Sequence, residues 1–152
     1  YLSNPLTLIN DLPENFLVMN GDLLTDFNFN KFIHWHIDNN NDISVGTFRR
    51  MTKNDSGVLH YDDNQNIYDF VEKPVVYNDI SMGIYALKKE IIDPLPKNEF
   101  FGFDQLIIDA IKKKLKIKAY PHNSYWLDIG CNDDYEKANE YYINNKEKIL
   151  KI

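Results

Sequence analysis

A single cysteine, Cys131, is the whole thiol content of the chain. That excludes an internal disulfide and points to a reducing compartment, with the cytoplasm as the expected location. No apolar run approaches the roughly 18 residues that a membrane-spanning helix needs, and no secretory signal pattern is visible. Positive charge is scarce: 17 Lys and Arg stand against 23 Asp and Glu, for a formal net charge of −6. This balance argues against nucleic acid as the main partner. A phosphorylated ligand can still be met by locally placed cations or by a metal ion. Internal repeats and low-complexity linkers are absent.

What is present describes a globular domain. A chain of 152 residues fits one domain and can bury about 68–70% of its unfolded surface. Aromatics are abundant, with 10 Tyr and 9 Phe, and most must pack inside or at the half-buried margin. The sequence begins at Tyr1 and runs through Leu6, Leu8 and Ile9 straight into a core strand. The expectation is a piece of a longer chain, with residues 1–152 forming a single partial domain.

Hydrophobic period sets the element order. Residues 16–19 (FLVM) read as a short buried strand, ended by the turn chemistry of Asn20-Gly21-Asp22. Phe29, Phe32, Ile33 and His36 recur at helical spacing, with Asn28 or Asn30 as the cap. Residues 43–51 form the next strand. Segments 57–61 and 66–73 flank Asp62-Asp63-Asn64 as a hairpin, and Pro74 ends its second arm. Residues 80–87 form a strand containing Gly83, and a short helix follows over 88–92. Phe103, Leu106, Ile107, Ala110 and Ile111 make a clean amphipathic helix. Strands at 115–120 and 125–129 and a terminal helix over 133–149 complete an α/β fold with mixed strands and helices. In that last helix Asp133 and Asp134 sit at the positive end and Lys146 and Lys148 at the negative end.

Several residues carry chemistry. Asp22 ends a buried strand, and in open α/β sheets ligands bind beyond such ends; taken alone, the acid reads first as a turn residue and second as a ligand. Asp128 follows a buried Trp-Leu pair and either caps the next helix or holds a cation. Glu72-Lys73-Pro74 closes the hairpin. In a regular strand Glu72 and Lys73 point to opposite faces, so both serve one ligand only if the strand is irregular there, which Pro74 favours. Gly83 within a strand marks a bulge or a close approach, while Gly57 is a turn glycine or a point of ligand approach. Asp26 reads as a helix-entry acid and Asp104 as an N-terminal helix acid. His34 and His36 fall on different helix faces and read as surface or half-buried residues. Lys112, Lys113, Lys114, Lys116 and Lys118 read as solvated, and Cys131 lacks a catalytic partner pattern.

In order, Asn20-Gly21-Asp22, Gly57-Val58, Glu72-Lys73-Pro74, Ser81-Met82-Gly83-Ile84-Tyr85 and Tyr125-Trp126-Leu127-Asp128-Ile129-Gly130 resemble the sugar-1-phosphate nucleotidylyltransferases, the NDP-sugar pyrophosphorylases. The likeness runs from about Pro13 to Ala138, and its details are most similar to the mannose-1-phosphate guanylyltransferase-like, CBS-domain-associated group. The resemblance implies a Rossmann-like fold with a mixed sheet, seen as its C-terminal portion. It implies transfer of a nucleotidyl group from an NTP, with GTP favoured, to a sugar 1-phosphate for cell-surface glycan biosynthesis. It further implies Asp22 and Asp128 as ligands of Mg²⁺, Lys73 on the sugar phosphate, Glu72 on sugar hydroxyls, and Gly57, Met82, Gly83 and Tyr85 around the sugar. A homo-oligomer is compatible with it; a nucleic-acid or membrane partner is not expected.

That chemistry suits these residue types. Mg²⁺ binds through one or two carboxylates plus substrate phosphates, and a compact ammonium suits a phosphate. The family's glycine-rich nucleotide loop has no match here, and Tyr1-Leu2-Ser3-Asn4-Pro5-Leu6 fits its small-residue nucleotide segment poorly. The fragment alone is therefore expected to be inactive. Two other readings are a metal-dependent glycosyltransferase, for which the spacing of Asp22 and Asp26 is wrong, and a non-catalytic sugar-nucleotide sensor of the same fold.

Overall fold

The computed structural model describes residues 6, 9–95 and 102–149. The opening segment 1–5 therefore lies outside the described residues. The elements run β1 (Asn15–Met19), β2 (Leu23–Thr25), α1 (Phe29–Asp38), β3 (Ile43–Lys53), β4 (Val58–Tyr61), β5 (Ile67–Val71), β6 (Val75–Lys88), a 3-10 turn (Lys89–Ile91), α2 (Phe103–Lys112), β7 (Ile117–His122), β8 (Trp126–Asp128) and α3 (Asn132–Ile149). The main sheet has the order β1-β6-β3-β7. Its β1/β6 and β3/β6 pairs are antiparallel and its β3/β7 pair is parallel, so the sheet is mixed.

Side-chain alternation along the sheet builds a core on each face. On one face Phe16, Val18, Ile43 and Leu87 meet Leu106 and Ala110 of α2. On the other, Met82, Ile84 and Ala86 of β6 meet Phe32 of α1 and Phe27. Helix α1 starts where the Asn28 carboxamide accepts the Lys31 N–H at 2.8 Å, which satisfies one of the free donors of a helix start. Asn28, not Asn30, is the cap.

Two elements differ from the sequence expectation. Strand β6 does not begin near Ile80 but at Val75, directly after Pro74, and runs for 14 residues. Pro74 separates β5 from β6; it does not end the ladder, because its missing N–H falls between strands. The start of β6, residues 75–79, pairs with residues 49–53 of β3 as a two-stranded ribbon, on which Met51, Val76 and Tyr77 stay exposed. The second difference is β2, three residues just after Asn20-Gly21-Asp22, paired antiparallel with β8 as a separate small ladder.

His36, expected at the surface or half-buried, is fully buried with Asn41 and Ser44. Its Nδ1 lies 2.8 Å from the Ser44 hydroxyl, which also accepts the Asn41 side-chain N–H at 3.0 Å. Among the described residues the His36 Nε2 and the Asn41 Oδ1 have no partner. Burial lowers the His36 pKa, and the Lys88 charge adds to this while Asp42 opposes it. As pH falls through the ordinary histidine value the unfolded chain gains a proton that the folded chain resists. The stability from neutral His36 is thus full above that value and is lost below it, down to the lowered folded pKa. The urea midpoint is expected to drop between about pH 7 and pH 5, with a shallower drop in His36→Gln. Equal slopes in the two proteins would exclude this coupling.

Candidate active site

The short β2/β8 ladder carries the two acids. Its register pairs Leu23 with Asp128, Leu24 with Leu127 and Thr25 with Trp126. Asp22 sits in the turn just before β2, and its carbonyl accepts the Ile129 N–H at 2.8 Å. Two residues over 100 positions apart in sequence thus become backbone neighbours at one end of one ladder. Both are exposed. Among the described residues neither carboxylate takes part in a hydrogen bond or an ion pair. Asp128 is therefore not used as a cap for α3, one of the two roles its position allowed.

The donor set suits a hard divalent cation that expects further ligands. Two free carboxylates at a strand end supply oxygen and negative charge, and Mg²⁺ takes its remaining positions from waters and substrate phosphates. No group of three or more His, Cys, Asp or Glu that could hold a metal exists among the described residues. A cation held here would complete its coordination with water or with oxygens of a ligand.

The Met82-Gly83 segment abuts this ladder. The register between β3 and β6 shifts from Val45↔Tyr85 to Thr47↔Ser81, so β6 carries extra residues and bulges at Met82–Ile84. Gly83 adopts φ 72°, and a Cβ there would lie 2.7 Å from the Asn20 side-chain nitrogen. Only glycine takes this backbone without strain. The Asn20 N–H donates to the Gly83 carbonyl at 2.9 Å, and the Trp126 indole N–H donates to the Met82 carbonyl at 3.0 Å. The bulge thus joins the end of β1 to β8. The Met82 side chain is fully buried in the core, so only its backbone is on offer. Tyr85 is half-buried against Phe103, with ring centroids 3.7 Å apart, and its hydroxyl accepts from Ser81 at 2.9 Å.

Gly57, Glu72 and Lys73 form a second group at the hairpin end. A Cβ on Gly57 would lie 2.5 Å from the Phe70 ring and 3.2 Å from a Glu72 oxygen, so the missing side chain leaves room for both. Strand β5 stops at Val71, and Lys73 takes φ 45°. This is the irregularity that frees Glu72 and Lys73 from opposite faces. Their charged ends stand 4.0 Å apart, with both side chains more than half exposed. An exposed pair of this kind contributes little to stability.

Arg50 carries no motif, and the sequence reading passed over it. From the β3 ribbon its guanidinium lies 5.5 Å from the Trp126 ring centroid, and Phe48 packs on the same indole at 5.5 Å. The ribbon therefore curls back toward β8, setting a cation beside the strand that ends in Asp128. Its signal was not local: a strand arginine next to Arg49 looks solvated until β8 is placed. Asp26, expected as a helix-entry acid, instead accepts from His122, Ser124 and Tyr125. Cys131 is exposed, with its thiol 3.2 Å from an Asp134 oxygen.

Comparison with known proteins shows the family and the fold. The family model described as "Nucleotidyl transferase" matches residues 4–145. Glucose-1-phosphate adenylyltransferase of Clostridium botulinum is 28% identical over 149 residues, covering 90% of this chain and 38% of the relative. Mannose-1-phosphate guanylyltransferase catalytic subunit beta of Drosophila pseudoobscura pseudoobscura is 25% identical, covering 94% and 40%. The chain thus spans about two fifths of the length of these curated relatives. The crystal structure of HddC from Yersinia pseudotuberculosis superposes with a TM-score of 0.60 at 29% identity, over 92% of this chain and 60% of that one. The same protein solved in complex with GMP-PN gives 0.60 at 27%. No helix among the described residues is long and apolar enough to cross a membrane.

Proposed function

The chain belongs to the nucleotidyl transferase family, and from that membership we propose that the full-length protein transfers a nucleotidyl group from an NTP to a sugar 1-phosphate. A phosphate oxygen of the sugar attacks the α-phosphorus, the α–β anhydride bond breaks, and pyrophosphate leaves. The observation that carries this reading is the meeting of Asp22 and Asp128 at one end of the β2/β8 ladder, both free of protein partners among the described residues.

The roles follow from charge. Asp22 and Asp128 would hold Mg²⁺, which when bound offsets phosphate charge and polarises the reacting phosphoryl group. Lys73 would take the sugar phosphate and orient its attacking oxygen. Glu72, beside Gly57, would accept hydrogen bonds from sugar hydroxyls, and the backbone at Met82-Gly83 would border the same ligand. Catalysis is then positioning and electrostatics, without a covalent enzyme intermediate. A product destined for cell-surface glycans fits this chemistry.

GTP is the nucleotide we carry forward, supported by the GMP-PN complex of the Yersinia neighbour and the guanylyltransferase relatives. ATP is the second reading, supported by the adenylyltransferase relatives. A screen of pyrophosphate release by the full-length protein, across paired NTPs and sugar 1-phosphates with Mg²⁺, tests both. Release with no pair would overturn the proposal.

Lys73→Ala is expected to raise the KM for the sugar 1-phosphate by roughly 10–100-fold, the range for losing a hydrogen bond to a charged group. The KM for the NTP should move far less. Unchanged KM and kcat would remove Lys73 from the site.

A further inference from the structure

We infer that Asp26 is a positioning residue for the acid pair: it clamps the loop entering β8 and so fixes where Asp128 stands relative to Asp22. This inference rests on the reading of Asp22 and Asp128 as metal ligands.

The ladder that carries the acids is too small to hold itself. It has three register pairs and lies outside the main sheet, and an isolated two-stranded pair is marginal in water. At the acid-bearing end the Ile129 N–H donates to the Asp22 carbonyl. Trp126 ties β8 to β6 through Met82, but that bond does not fix β8 against β2. The opposite end is where the register is secured.

There the Asp26 carboxylate takes three donors. His122 Nε2 lies 3.0 Å from one oxygen, and the Tyr125 N–H donates to the same oxygen at 3.0 Å. The Ser124 hydroxyl donates to the other oxygen. The Thr25 hydroxyl adds a bond to the Tyr125 carbonyl at 2.7 Å, and the Asp26 N–H reaches that carbonyl at 3.3 Å. Tyr141 of α3 stacks on the Tyr125 ring at 3.3 Å and 5°. Side chains of His122 and Asp26 are only 11% and 17% exposed, so these bonds to a charged acceptor are partly shielded and stronger than neutral ones.

The anchor point matters. His122 is the last residue of β7 and pairs with Phe48 in the main sheet. Asp26 therefore hangs the small ladder on the large one. A slip of one residue would turn Asp128 to the other face of the ladder and change where it stands relative to Asp22. The contact of Arg50 with the Trp126 ring would be lost as well.

The test uses the full-length protein and Mn²⁺ alone, titrated by the electron-spin resonance of the free ion. Asp26→Asn keeps the size of the side chain and removes its charge. Mn²⁺ affinity is expected to weaken by about 10–100-fold, as when partners that orient metal ligands are lost. The kcat should fall by a similar factor, with little change in either KM. Ser124→Ala, which removes one hydroxyl, should show a smaller loss of the same kind and serves if Asp26→Asn does not fold. Asp22→Asn is measured beside them. Lost Mn²⁺ binding in Asp22→Asn together with unchanged binding in Asp26→Asn, or in Ser124→Ala if that variant must serve, overturns this inference alone. Retained binding in Asp22→Asn overturns the metal reading and the inference with it.

Discussion

Asparagine in place of Asp22 or of Asp128 is expected to cut the kcat of the full-length protein by at least ~10²-fold, while the unfolding midpoint stays at its wild-type value. The size follows from where the charge acts. Interactions aimed at charge that develops in the transition state are each worth about 10²–10³ in rate, and a divalent ion contributes several kcal/mol of such stabilisation. The unchanged stability follows from geometry. Both acids are exposed, and among the described residues neither carboxylate has a protein partner, so the fold loses no contact when the charge is removed. The double variant should be little worse than either single one, because two acids holding one ion would act as a unit. Steady-state pyrophosphate release beside chemical denaturation reads both halves. Near-wild-type turnover in either single variant would refute the metal role.

Phe32→Ala is expected to destabilise the protein by about 3–5 kcal/mol, the usual cost of truncating a buried phenylalanine. Phe32 is 0% exposed. Its ring meets Phe27 edge-to-face at 5.1 Å and 77° and Tyr120 at a tilt of 53° and 5.1 Å, and aromatic pairs of this kind add to the burial. Such a loss is a large share of the 5–15 kcal/mol that typically holds a domain together. The effect should also reach the site, since Phe27 directly follows Asp26 and packs against His122 at 5.2 Å. Urea denaturation measures the loss, and a change below about 1 kcal/mol would mean that the helix does not pack as described.

The helices were legible because their signals are local. Phe29, Phe32 and Ile33 of α1, and Phe103, Leu106, Ile107 and Ala110 of α2, mark their inner faces by spacing alone, and a helix satisfies its hydrogen bonds within itself. Strand β1 was equally plain as an apolar run. Strand β2 was not, because Leu23-Leu24-Thr25 becomes a strand only when 126–128 arrives beside it. The extension of β6 back to Val75 was hidden by Pro74, whose effect depends on which residues it separates. His36 had the right period, but nothing local says that Ser44 and Asn41 will close over it.

The site divides along the same line. By itself the sequence determined the chemical inventory and its order: Asp22 after an apolar strand, Gly57 before the hairpin, Glu72-Lys73-Pro74 at its end, Gly83 within a strand and Asp128 behind Trp126. Residue type and local spacing are written in the chain, and it is the family resemblance carried by these motifs together that implies phosphoryl chemistry. Only the tertiary structure decided that Asp22 and Asp128 share one ladder end, that Arg50 leans over Trp126, and that Asp26 anchors the His122–Tyr125 loop. Each of these depends on strand pairings or side-chain contacts that span about 75 residues or more, and a strand carries no mark of its partner until the sheet closes.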